Sequence, residues 1–65
     1  MYFVFYNTND VFVAEEKLQQ QNIPVEVVPT PVQDKAYCGV CVQIPTKDEV
    51  IAIETLRGMD YQIVK

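Results

Sequence analysis

The sequence predicts an α+β fold, a ferredoxin-like βαββαβ sandwich in which a four-stranded antiparallel sheet carries two helices on one face. Three observations lead there. Short β-branched or aromatic runs alternate with segments of helical periodicity in the order βαββαβ. A faint repeat relates the two halves: Thr8-x-Asp10 recurs as Thr46-x-Asp48, and Ala14-x-Glu16-x-Leu18 recurs as Ala52-x-Glu54-x-Leu56 at the same offset. Finally, 65 residues of which 49% are hydrophobic make one domain, residues 1–65, small but globular. Two βαβ halves on a shared sheet give the split arrangement, and right-handed crossovers put the first and third strands at the centre.

The elements follow in order. Tyr2–Tyr6 is aromatic and β-branched, hence a strand. Asn7 or Thr8 offers a helix N-cap, with Asp10 near the positive helix end, and Val11, Ala14 and Leu18 follow at helical spacing. Asn22 suits a left-handed residue just past the helix, ahead of Ile23-Pro24. Val25–Val28 is the second strand, ended by Pro29-Thr30-Pro31, and Val40–Ile44 the third. Thr46 and Glu49 read as a capping box opening a second helix that stops at Gly58. Tyr61–Val64 closes the sheet.

Strand alternation sorts the faces. Phe3, Phe5, Val25, Val27, Val40, Val42, Ile44, Tyr61 and Ile63 should face the helices, with Ala14, Leu18, Ala52 and Leu56 packed on them. The other face receives Tyr2, Val4, Tyr6, Val28, Cys41, Gln43 and Val64, which is apolar enough to predict a homodimer or a docked partner.

Charge excludes several classes. The net charge is −4 and the five basic residues are scattered, which speaks against nucleic acid and against anionic membrane surfaces. Strand-1 aromatics such as Tyr2 and Phe5 have no aromatic or basic companions in Gly39–Ile44, so the RNA-recognition pattern is incomplete. The first ten residues lack the basic start and cleavage site of a signal peptide, and no run approaches a membrane span. A cytoplasmic protein with reduced thiols is expected.

Chemistry concentrates between Val27 and Pro45, which hold both cysteines and three of the four prolines. Cys38-Gly39-Val40-Cys41 is half a zinc site, since the chain has no histidine and no third cysteine, so only a dimer would complete it. It also lacks the helix that starts at the first cysteine of a thioredoxin-type pair, because Val42-Gln43-Ile44 reads as strand. The two cysteines are therefore expected to act separately. Cys38 lies at a loop exit beside Gly39, which permits close approach, with Lys35 three residues away to favour a thiolate. Cys41, inside a strand, reads as a small buried hydrophobe.

Pro29-Thr30-Pro31 after an Ile-Pro-Val strand, then a short loop and Cys38-Gly39 opening a strand, resembles the selenium/sulfur carrier-like family of short bacterial and archaeal proteins. The likeness extends over nearly the whole chain. Pro29, Thr30, Pro31, Cys38 and Gly39 match the family pattern, while Val32 stands where Arg is common and Tyr37 where Ser is common. Some members lie beside or are fused to sulfur-transfer domains. The resemblance implies a carrier rather than a stand-alone enzyme: Cys38 accepts a persulfide-type sulfur or selenium and passes it to a sulfur- or selenium-transfer protein. Pro29, Thr30, Pro31, Lys35, Gly39 and Cys41 would support the loop, and no cofactor or metal is called for. Two alternatives stay open, a dimeric interaction module with inert cysteines and dimeric metal binding through Cys38 and Cys41.

Overall fold

The computed structural model describes residues 1–32 and 34–65. Its elements run β1 (Tyr2–Phe5), α1 (Thr8–Gln20), β2 (Glu26–Pro29), β3 (Val40–Gln43), α2 (Glu49–Thr55) and β4 (Tyr61–Val64), a single 3₁₀ turn at Thr46–Asp48 preceding α2. The strands form one antiparallel sheet in the order β2-β3-β1-β4, so β1 and β3 are central as the crossover rule requires. This is the α+β ferredoxin-like arrangement. Among the described residues no helix is long and apolar enough to cross a membrane.

Helix α1 starts and stops for local reasons. The Asn7 side chain accepts the Asp10 N–H at 2.8 Å and returns a bond from its own amide to the Asp10 carboxylate at 3.1 Å. This reciprocal pair satisfies an orphan donor and sets a negative charge in the first turn. At the far end Asn22 adopts φ 59°, its N–H reaches Gln19 O at 2.9 Å and the Ile23 N–H reaches Leu18 O at 3.1 Å. That is a Schellman ending, and the buried Leu18 and Ile23 supply its usual apolar contact.

Helix α2 departs from expectation. Thr46 does not cap it: the chain enters through Pro45, Thr46–Asp48 form the 3₁₀ turn, and no side chain caps either segment. Thr46 therefore sits inside a helical turn rather than ahead of one. Glu49 bridges to Lys65 at 3.2 Å instead of reaching back. The helix ends at Thr55, and Gly58 takes φ 92°, a left-handed value that turns the chain towards β4.

The repeat is expressed in the core. Ala14, Leu18, Ala52 and Leu56 are all fully buried, against Phe3, Phe5 and Val42 of the central strands. Small Ala lets each helix approach the sheet while Leu fills the space beside it. Val25 and Val27 are only half-buried because β2 is an edge strand. Tyr61 packs edge-on to Phe3, ring centroids 5.0 Å apart.

The opposite face is less open than alternation implied. Val4 and Cys41 are fully buried there, and Tyr2, Val28, Gln43 and Val64 are half-buried, leaving Tyr6 as the exposed member at 44%. Val4 and Cys41 lie on the two central strands, with those half-buried residues of the same face around them. Tyr6 is itself packed on Tyr37, centroids 5.3 Å apart. Larger apolar exposure lies on the outer sides of the helices, at Phe12, Val50 and Ile51.

Candidate functional site: Cys38 at the start of the third strand

Cys38 lies where the β1–β3 ladder loses its register. The ladder runs Ile44 N–H to Met1 O at 3.0 Å and pairs Phe3 with Val42. Continued, it would bring the Val40 N–H to Phe5 O. Instead the Cys38 N–H takes Phe5 O, at 2.8 Å, so the chain bulges at Gly39-Val40. On the other side β3 keeps step with β2: Pro29 pairs with Val40, and the Thr30 N–H reaches Gly39 O at 3.0 Å. The Thr30 hydroxyl then donates to the Cys38 carbonyl at 2.6 Å. Both main-chain polar groups of Cys38 are thus tied to regular structure. The loop exit expected from sequence is, at Cys38 itself, a held position.

The irregular pairing has a chemical consequence. The Val40 N–H, released from β1, favours the ionised form of the Cys38 sulfur, and the Gly39 N–H does so more weakly. From α1 the Thr8 hydroxyl lies 3.2 Å from Cys38 Sγ. Its first-turn partner Asp10 is already served by Asn7, so the hydroxyl is not needed as a cap. Together these groups hold the Cys38 thiol below its ordinary value: the Thr8 hydroxyl contributes most and the Val40 amide next, with partial burial opposing them and Gly39 adding the least. Cys38 packs against the helix-side core and is half-buried.

Cys41 has the contrary surroundings. An offset of three residues in an extended strand turns it to the face away from the helices. It is fully buried, and its sulfur lies 3.9 Å from the Pro29 carbonyl oxygen, a weak contact. Burial pushes its thiol up, the Thr30 hydroxyl pulls the other way, and the neighbouring Cys38 raises it further. The two thiols therefore belong to different environments on different faces. Among the described residues no group of three or more His, Cys, Asp or Glu is placed to hold a metal ion.

The remaining sequence-predicted residues frame an open depression of about 490 Å³ whose walls include Pro29, Thr30, Lys35, Tyr37, Cys38 and Gly39. Lys35 enters as part of this wall, whereas the groups that lower the Cys38 thiol are the hydroxyl and amides above. Asp34 shapes the approach, its carboxylate accepting the Ala36 N–H at 2.9 Å and its carbonyl the Tyr37 N–H at 3.1 Å. Gly39 is exposed, with nothing within 4 Å of where a Cβ would stand, so what it supplies is open space beside the sulfur. Pro31 is exposed just beyond the β2 edge. Gln33, part of the polar loop expected before Cys38, lies outside the described residues.

Thr8 is the site residue that local sequence reading missed. It is separated by 30 positions from Cys38 and reads there as a helix-start residue. The signal was topological: β3 runs antiparallel to β1, so the start of β3 must lie beside the end of β1, where α1 begins.

Compared with known families, the model of the family described as "Putative Se/S carrier protein-like" matches residues 1–65, the whole chain. No curated protein and no solved structure matches it.

Proposed function

The chain belongs to the Se/S carrier protein-like family, and from that premise we propose that Cys38 is the atom-carrying residue, accepting a sulfur or selenium from a transfer protein and passing it on. The observation that carries this reading is the Thr8 hydroxyl 3.2 Å from the sulfur of a half-buried Cys38, with the Val40 and Gly39 amides also favouring its ionised form. Those groups favour the anion, which is the nucleophile in sulfur exchange.

The Cys38 thiolate attacks the outer sulfur of a donor persulfide, R–S–SH. The donor S–S bond breaks, a new bond forms between Sγ and the sulfane sulfur, and R–S⁻ leaves. The proton of the donor stays with whichever sulfur is the stronger base. No net oxidation occurs and no co-reactant is consumed. The product, Cys38–S–S⁻ or its protonated form, is the reactant for the reverse step with an acceptor thiolate, and a perselenide donor follows the same bookkeeping of bonds. A carrier needs access for a partner's cysteine rather than an enclosed pocket. The open depression at Gly39 and Tyr37 suits that need.

Incubation with glutathione persulfide, followed by intact-mass measurement, tests the reading. Wild type and Cys41→Ser should each gain one sulfur, removable by a reductant, and Cys38→Ser should gain none. Gain lost in both single variants would mean that the two cysteines act jointly. Absence of any gain in wild type, with glutathione persulfide and with a perselenide, would sink the carrier reading.

A further inference from the structure

We propose that Thr8 is the positioning residue of the Cys38 nucleophile, its hydroxyl holding Sγ at the mouth of the depression from the first residue of α1. The geometry is specific. Thr8 Oγ1 stands 3.2 Å from Sγ, and Thr8 is the first helical residue of α1. Hydroxyls at helix starts ordinarily serve the helix, but here Asn7 carries the cap through the Asp10 N–H at 2.8 Å. Thr8 is exposed, so its side chain contributes little to the core. Its hydroxyl thus has neither a capping nor a packing duty, and its near neighbour is the sulfur.

The consequence is a division of labour between two threonines. Thr30 fixes the Cys38 main chain by donating to its carbonyl at 2.6 Å. Thr8 fixes the side chain and, once the thiol ionises, its hydroxyl donates a hydrogen bond to the thiolate. A hydroxyl donor does this without a fixed positive charge and without offering a base to the incoming sulfur. An accepted sulfur would have room in the open depression that Cys38 and Gly39 line together.

This inference concerns the reactivity of Cys38 and rests on the proposed carrier reading only for its purpose. Its test needs no sulfur donor, so failure of one can be told from failure of the other. The rate of Cys38 alkylation by iodoacetamide is followed against pH in Cys41→Ser, where a single thiol remains, and in the same background with Thr8→Val or Thr8→Ser. Thr8→Val keeps the β-branched shape and loses the donor. Its pH–rate inflection should move upward and its rate near neutral pH should fall about threefold, the lost thiolate being partly offset by the greater nucleophilicity of a more basic sulfur. Thr8→Ser restores a hydroxyl and should return the profile close to that of the parent. Thermal unfolding should be nearly the same for all three, since Asn7 retains the cap. A Thr8→Val profile superimposable on the parent overturns the proposal. So does a Thr8→Ser profile that matches Thr8→Val, since shape rather than the hydroxyl would then be responsible. Should Thr8→Val unfold, Thr8→Ala is compared with Thr8→Ser by the same two criteria.

Discussion

Thr30→Val isolates one hydroxyl at the centre of the site. Threonine and valine have nearly the same shape and both suit extended chain, so the change removes a donor without opening a cavity. The bond lost is the 2.6 Å link from the Thr30 hydroxyl to the Cys38 carbonyl, in a part-buried setting, while the Thr30 N–H to Gly39 O bond at 3.0 Å remains. A neutral hydrogen bond is worth about 1 kcal/mol net, and a carbonyl stranded away from water costs somewhat more. We expect a loss of about 1–1.5 kcal/mol. A core of this size supplies only about 3–5 kcal/mol, so that loss is a large fraction of the total. For a domain this small it lowers Tm by roughly 4–8 °C per kcal/mol.

Thermal unfolding by circular dichroism reads that effect, with Thr30→Ser as the control that keeps the donor. The same variants should differ at Cys38. With its carbonyl released, the residue is held only by its N–H to Phe5 O at 2.8 Å. Sγ then spends less time against Thr8 and the amides, and alkylation at neutral pH slows. A Thr30→Val protein that melts with wild type and alkylates at the wild-type rate would refute the argument. So would a Thr30→Ser protein as damaged as Thr30→Val.

Two further outcomes follow from the same structure. The cysteines should contribute pH dependence of opposite sign. Cys38 is lowered in the folded state, chiefly by the Thr8 hydroxyl, so relative to Cys38→Ser the wild type should gain stability as pH rises through that lowered value towards the unfolded value of about 8.5, then level off. Cys41 is raised by burial, so relative to Cys41→Ser its contribution should hold below about 8.5 and be lost as pH climbs from there towards the raised value. Urea midpoints across this range check both, and slopes of the same sign would contradict the assignment. Val4→Glu should abolish cooperative unfolding, since it places an unpaired carboxylate at a fully buried position, whereas Tyr6→Ala should cost only about 1 kcal/mol from the lost ring contact with Tyr37. A Val4→Glu protein that folds normally would mean that this face is open to water after all.

Much of the fold was legible because several signals agreed at the same residues. Ala14 and Leu18 lie on the helical period, recur as Ala52 and Leu56, and all four are fully buried. Asn22 was legible as a left-handed stop because the Ile23-Pro24 pair forbids continuation anyway. The two cap readings show where short motifs fail. Thr46-x-x-Glu49 has the pattern of a capping box but follows Pro45 into a 3₁₀ turn, and Glu49 is drawn to Lys65 from the end of the chain's last strand. Asn7-x-x-Asp10 has a less familiar pattern and forms the reciprocal pair. What separates them is the backbone angle entering the helix, which the motif does not encode. Likewise the exposed apolar sheet face followed from alternation alone. Alternation gives the direction of a side chain but not its burial, and Val4 and Cys41 are fully buried on that face.

The reactive position was half legible, for a reason that concerns how sheets use their amides. From sequence, Cys38 and Cys41 differ as a loop-exit residue differs from a strand residue, and their opposite environments follow from that difference. The source of the Cys38 environment did not follow, because Lys35 is the nearest charge in sequence whereas the Thr8 hydroxyl stands 30 positions away. In a regular antiparallel strand every inward amide of β3 would be consumed by β1. Shifting the bond to Phe5 O from Val40 to Cys38 leaves an amide without a strand partner. That amide faces the Cys38 side of the bulge and favours the ionised form of its sulfur. The bulge at Gly39 therefore does two things at once: it opens space on the solvent side of the thiol and turns a ladder donor into a thiolate donor. Pro29 and Pro31 bear on the same point. Pro29 lacks an N–H, so β2 makes no demand through it, and Thr30 between the two prolines is left as the donor that fixes Cys38. The Pro-Thr-Pro and Cys-Gly segments are thus two halves of one device, joined by a hydrogen bond of 2.6 Å between the hydroxyl of one and the carbonyl of the other.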